Sequence, residues 1–164
     1  MVSSSHIIDL DILSSICTYE PCYPGIDLLV YQHKPMGQLV WDPCRIYLLL
    51  SLGQMSFGNI SGHRAREELA HERVLNANLL DYLVHNQHLI PENWKRYEVC
   101  FWGTIYKVNN LKSPYSFVRC LVWENGKWDW EEGWYWKEGR WKSWYLDLDS
   151  GWTHLRRAAV LIDI

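Results

Sequence analysis

The chain has 164 residues, 48% of them apolar and 21% charged, with a net charge of −3 and a pI near 6.1. Such a composition excludes a disordered chain and a basic footprint for duplex nucleic acid or an anionic membrane. No apolar run approaches the ~18 residues of a membrane-spanning helix. The unusual numbers are 11 Trp and 10 Tyr, with eight of the Trp lying between Trp123 and Trp152.

The N-terminus, Met1 to Leu13, lacks a basic start and a long apolar stretch, and Asp9 and Asp11 interrupt its apolar residues. No signal peptide is expected there, and a cytoplasmic protein is predicted. Cys17, Cys22, Cys44, Cys100 and Cys120 form an odd, scattered set without a CxxC pair, which reads as reduced and mostly buried thiols. Residues 1–37 are taken as an N-terminal extension and 38–164 as one domain. In the extension, Ile7 to Ile16 suits a short helix, Glu20 to Gly25 is a turn cluster, and Ile26 to Gln32 reads as a strand. Gln38 to Trp41 is a second strand, stopped by Asp42-Pro43.

Arg45 to Leu52 has the length of a buried strand, and the Gly-rich stretch from Gly53 to Gly62 is expected to be a loop. Two helices follow, at about 63–71 and 77–86. In the second, Asn76 is the N-cap and Leu79, Leu80, Leu83 and Val84 form one apolar stripe. Pro91 can open a single further turn. From about 98 to 162 the periodicity is two, as in a β-meander, with Gly103 marking a bulge or a close backbone approach. The predicted architecture is therefore α+β, a small helical part packed on a mostly antiparallel, Trp-rich sheet.

Asn125-Gly126 is a strong type I′ hairpin signal that would set Trp123 opposite Trp128, as in designed tryptophan-zipper hairpins. A second hairpin is predicted around Lys137 to Arg140, with Trp136 facing Trp141. Alternation then shares the aromatic residues between core and solvent. The candidate ligand-binding surface comprises Trp130, Trp134, Tyr135, Trp136, Lys137, Arg140, Trp141, Trp144 and Trp152. Two other readings remain open. One is a lectin or glycan-active enzyme with Trp platforms and nearby acids such as Asp129, Glu131 and Glu132. The other is a structural or regulatory protein whose Trp are all core.

No catalytic residue is assigned, because these acids occupy turns and nothing isolates one in an apolar pocket. His85 and His88, three apart at a helix end, lack a third ligand, and Asp147 to Gly151 lacks the distal Glu of a calcium loop. No metal or cofactor is expected. The partner is an unknown protein or other ligand, not duplex nucleic acid and not a membrane. Lys127, Lys137, Arg140 and Lys142 are offset by Glu124, Glu131, Glu132 and Glu138, which disfavours single-stranded nucleic acid as well.

The segments Val74–Leu83, Leu89–Lys95, Phe101-Trp-Gly-Thr-Ile-Tyr106, Val118-Arg-Cys-Leu121 with Trp123, and Ala158-Ala-Val-Leu161 together resemble a group of uncharacterised proteins of small-genome candidate-phylum bacteria. The resemblance covers about residues 38–162 and implies no chemistry. In that group the segment between the last two motifs is variable and rich in Trp, Tyr, Asn, Asp and Ser. That pattern is similar to the variable proteins of diversity-generating retroelements, which implies a C-type-lectin-like fold displaying a hypermutated surface. Here the matching segment is Trp123 to Arg157; it is longer by roughly one hairpin and holds few Asn.

Overall fold

The computed structural model describes residues 5–12, 27–109, 115–125, 128–129, 134–135 and 139–162, with backbone alone at 128–129 and 134–135. In chain order the elements are β1 (Ile7–Asp9), β2 (Leu28–His33), β3 (Gln38–Val40), β4 (Ile46–Leu49), α1 (Leu52–Phe57), β5 (Asn59–Ser61), α2 (Gly62–Glu68) and α3 (Ala77–His85). They continue with β6 (Glu98–Val108), β7 (Ser116–Glu124), β8 (Trp128–Asp129), β9 (Trp134–Tyr135), β10 (Arg140–Asp147), β11 (Gly151–Thr153) and β12 (Arg156–Leu161). The fold is α+β. Its main sheet runs β10-β7-β6-β12-β4, and β2 also pairs with β6. Only the β12–β6 pairing in this sheet is parallel.

Alternation along β6 and β7 explains the layering, since successive side chains leave a strand on opposite faces. Val99, Phe101 and Leu121 face α3, whose Leu79, Leu80 and Leu83 are fully buried against them. Each such leucine contributes about 1.5–3 kcal/mol. Cys100, Trp102, Val118 and Cys120 point the other way, onto Ala65 and Leu69 of the α2 region and onto Leu148 and Trp152. The sheet is thus covered on both faces. This is why β6 is almost continuously buried.

Several local expectations hold. Asn76 caps α3, accepting from the Asn78 N–H, and Ser61 caps α2. At Gly103 the β6–β7 register shifts between Cys100 and Ile105, and a Cβ there would lie 2.8 Å from that of Asn76. The bulge and the close approach are both present. The single further turn is present as a 3₁₀ turn at Glu92–Arg96, although Pro91 is its cap and not its first helical residue.

Others are corrected. The stretch expected as a helix begins as strand β1, paired with β3 in register Ile8↔Leu39; residues 13–16 of that prediction lie outside the described residues. Ile8 and Leu10 are buried in the core with α3, and β2, itself largely exposed, pairs with β6, so the described part of the presumed extension is joined to the main sheet and its core. Asn76, itself fully buried, also donates from its side chain to the Leu10 and Lys34 carbonyls. The supposed loop at 53–62 holds α1 and β5. Ser51 and Gln54 form a capping box on α1, and Gly58 ends it in the left-handed region at φ 75. Gln54 then ties α1 to the sheet through the Thr153 and Arg156 carbonyls.

The thiol expectation also changes. Cys100 and Cys120 stand directly opposite in β6 and β7, 4.1 Å apart at Cα, and are joined as a disulfide. Cys44 is free and exposed, while Cys17 and Cys22 lie outside the described residues. No helix among the described residues is long and apolar enough to cross a membrane.

Candidate functional site

The largest departure lies in the Trp-rich third of the chain. β7 does not pair with β8 across Asn125-Gly126. It pairs instead with β10, in register Glu124↔Arg140, Trp123↔Trp141 and Leu121↔Ser143. β8 pairs with β9, Trp128↔Tyr135 and Asp129↔Trp134. Trp123 is therefore not opposite Trp128, while Trp136, Lys137 and Glu138 of the second predicted hairpin lie outside the described residues. One long pair, β7–β10, carries a short ladder at its open end. The turn signal at Asn125-Gly126 is local, whereas the β7–β10 pair buries Leu121, Val122, Trp141 and Tyr145, and that area decides the register.

This register sorts the candidate residues. Trp141 is 4% exposed and Trp152 1%, so both leave the proposed surface. Trp141 packs edge-on against Trp123 at 5.4 Å, and its backbone N–H and carbonyl are both engaged by the Gln87 side chain. Trp152 in β11 packs at a tilt against Trp102, ring centres 4.7 Å apart, in the layer beneath the sheet. Arg140 is exposed and pairs with Glu124; Trp144 is half-buried. Trp130, Trp136 and Lys137 lie outside the described residues, and Trp134 and Tyr135 are placed by backbone only.

Trp144 shares its face with Lys142, as the alternation predicts, and lines a groove of about 330 Å³. The groove wraps the open end of β7–β10 and is completed by the Glu92–Arg96 turn and the start of β6. Three aromatic rings there each carry a cation. The Lys95 Nζ lies 3.8 Å from the Trp123 ring centre, the Lys142 Nζ 5.8 Å from that of Trp144, and the Arg157 guanidinium 4.2 Å from that of Tyr97. At such distances the ring quadrupole attracts the charge. The Trp144 indole N–H is buried and has no hydrogen-bond partner among the described residues.

The carboxylates of the groove are already engaged. Glu124 accepts from the Lys142 Nζ at 2.7 Å, and Arg140 is 3.4 Å away. The Lys142 hydrogen bond, outweighing partial burial, holds the Glu124 carboxyl below the ordinary glutamate value. Glu98 is bonded to Arg156 at 2.6 Å. Lys95 pairs with Glu92 at 2.7 Å. Lys95, Tyr97 and Arg157 had not been singled out in the sequence, because their nearness to Trp123 follows from the β6–β7 and β12–β6 pairings, not from spacing.

Elsewhere, Asp147 accepts from the Asp149 N–H and Asp149 pairs with His63 at 3.0 Å, so the Asp147–Ser150 turn is a self-capped bend. The His85 Nδ1 bonds to the Asp81 carbonyl, in keeping with a structural role at the helix end. Among the described residues no three His, Cys, Asp or Glu are grouped closely enough to hold a metal ion. Compared with known proteins, the chain matches no family model, no curated sequence and no solved structure.

Proposed function

We propose that the protein is a ligand-binding module, not an enzyme. Its recognition surface would be the groove at the end of β7–β10 together with the Trp- and Tyr-rich segment 125–139 that departs from it. The observation that carries this reading is the set of three half-buried rings, Tyr97, Trp123 and Trp144, each beside a cation, at the root of that segment. Aromatic side chains with few rotamers give large contact area at low entropic cost, and Arg and Lys beside them supply directional polar contacts. The segment's two ends are fixed by the Glu124↔Arg140 pairing, so a rigid sheet carries it, as binding loops elsewhere are carried by rigid scaffolds. A binding role is favoured over general-acid chemistry because the Lys142 hydrogen bond lowers the Glu124 carboxyl, the opposite of the upward shift a general acid needs.

The sequence resemblance supports a finer version, in which the scaffold is C-type-lectin-like and a retroelement diversifies the segment. A reverse-transcriptase gene beside a near-copy of the 3′ coding segment is the expected genomic signature, and its absence removes the diversification. For the binding surface itself, a fluorine-detected fragment screen on the whole chain is the test. Hits are expected to shift the Trp123 and Trp144 indole resonances and to be lost in Trp144→Ala. A screen whose hits leave both indoles unmoved overturns the assignment.

A further inference from the structure

A second cavity, of about 540 Å³, lies away from the Trp-rich end, between the end of β2, α2 and β6. Its floor is apolar, made by the buried Leu69, Val74 and Trp102. Two cations line it. Lys34, half-buried just after β2, donates from Nζ to the Glu72 carbonyl at 2.8 Å. Arg66 of α2 donates from Nη2 to the Gln32 side-chain oxygen. Both partners are neutral, and neither cation has an ion-pair partner among the described residues. This contrasts with the first groove, where Lys142, Arg156 and Lys95 each meet a carboxylate. The other titratable groups of the lining are His33, whose ring nitrogens meet the Thr104 hydroxyl and the Leu10 carbonyl, His63, hydrogen-bonded to Asp149, and Glu67, which is exposed.

Two ammonium- and guanidinium-type donors with only neutral partners, over an apolar floor, have a simple complement. From this geometry we infer that the cavity is a binding site for a small organic anion, a carboxylate, sulfonate or phosphate head on an apolar body. The volume falls in the range of small-molecule sites, ~300–1,000 Å³. The guanidinium fork of Arg66 suits a planar or tetrahedral oxyanion, and Lys34 adds a point charge. The apolar body covers Leu69, Val74 and Trp102. The site is independent of the groove on β7–β10 and stands or falls separately.

The test uses naphthalene-1-sulfonate as the probe, titrated calorimetrically into the whole chain. Its neutral analogue 1-naphthalenemethanol and inorganic phosphate are the comparison arms. Saturable binding of the sulfonate is expected, with each comparison compound weaker by roughly tenfold or more, since one lacks the charge and the other the apolar body. Arg66→Gln and Lys34→Met are each expected to weaken the sulfonate by roughly fivefold or more, a charge-assisted hydrogen bond being lost in each. Lys142→Met, in the other groove, should leave it unchanged. Far-UV circular dichroism verifies folding; if Lys34→Met does not fold, Arg66→Gln on the surface of α2 decides alone. The inference is overturned by equal binding of the neutral analogue, by phosphate binding as well as the sulfonate, by an unaffected Arg66→Gln, or by no saturable binding.

Discussion

Replacing Trp141 separates framework from display more sharply than any other single change. Its side chain is 4% exposed, faces Trp123 at 5.4 Å and sits in the core that includes Leu79, Leu80 and Leu83. A buried indole removes about 200 Å² from water, and at ~25 cal/mol per Å² its loss costs up to ~5 kcal/mol. The unfolded chain already buries part of that area, so ~3–5 kcal/mol is expected for Trp141→Ala. Trp144 is half-buried on the groove, and the same substitution there should cost less than about 2 kcal/mol. Urea unfolding followed by far-UV circular dichroism reads both. With a slope near 2 kcal/mol per M, Trp141→Ala should lower the midpoint by ~2 M and Trp144→Ala by under ~1 M. Equal shifts, or a loss below about 1 kcal/mol at Trp141, would refute the β7–β10 register and the assignment of Trp141 to the core.

Gly62→Ala should be destabilising although alanine favours helices by up to ~1 kcal/mol, because the new Cβ would lie 2.7 Å from the Leu148 Cα and 2.4 Å from the Trp152 Nε1. Backbone atoms cannot step aside, so a net loss of ~2 kcal/mol or more is expected in the same unfolding assay. Glu124 gives a pH signature. Its folded carboxyl is lowered chiefly by the Lys142 hydrogen bond, so its stabilisation is complete above the ordinary glutamate value of 4.5 and is lost as pH falls through the lower folded value. The stability gap between the wild type and Glu124→Gln should accordingly be constant near neutrality and shrink below about pH 4.5. For the cysteines, a non-reducing peptide map should recover Cys100 joined to Cys120 and Cys44 alkylated; free alkylation of all three would contradict the cross-strand bond.

What could be read from the sequence was mostly local. α3 was legible because an Asn cap precedes a leucine stripe of helical period, and Gly103 because a lone Gly in a strand pattern signals a bulge. α1 carried its own signal, Ser51 and Gln54 at capping-box spacing with Gly58 beyond. The surrounding glycines and polar residues concealed it. The strands at the C-terminal end were found, but their partners were not. Asn125-Gly126 favours a tight hairpin, and only the area buried between β7 and β10 overrides it. The same non-local pairing brings Cys100 onto Cys120 and carries Lys95 over Trp123, so neither the disulfide nor the cation-bearing groove could be read from spacing. Trp152, which follows the acidic turn Asp147–Ser150, is buried because β11 pairs with β5 and turns the indole onto Trp102.

The claim that segment 125–139 recognises ligands from a fixed sheet is tested most directly by diversification. A yeast-displayed library randomised at Trp130, Trp134, Tyr135, Trp136 and Lys137, with every other residue kept, would be selected against hen lysozyme and streptavidin. The account predicts that most clones keep the wild-type thermal midpoint within a few degrees and that target-specific binders emerge. General loss of folding, or no specific binder from a well-folded library, would contradict it.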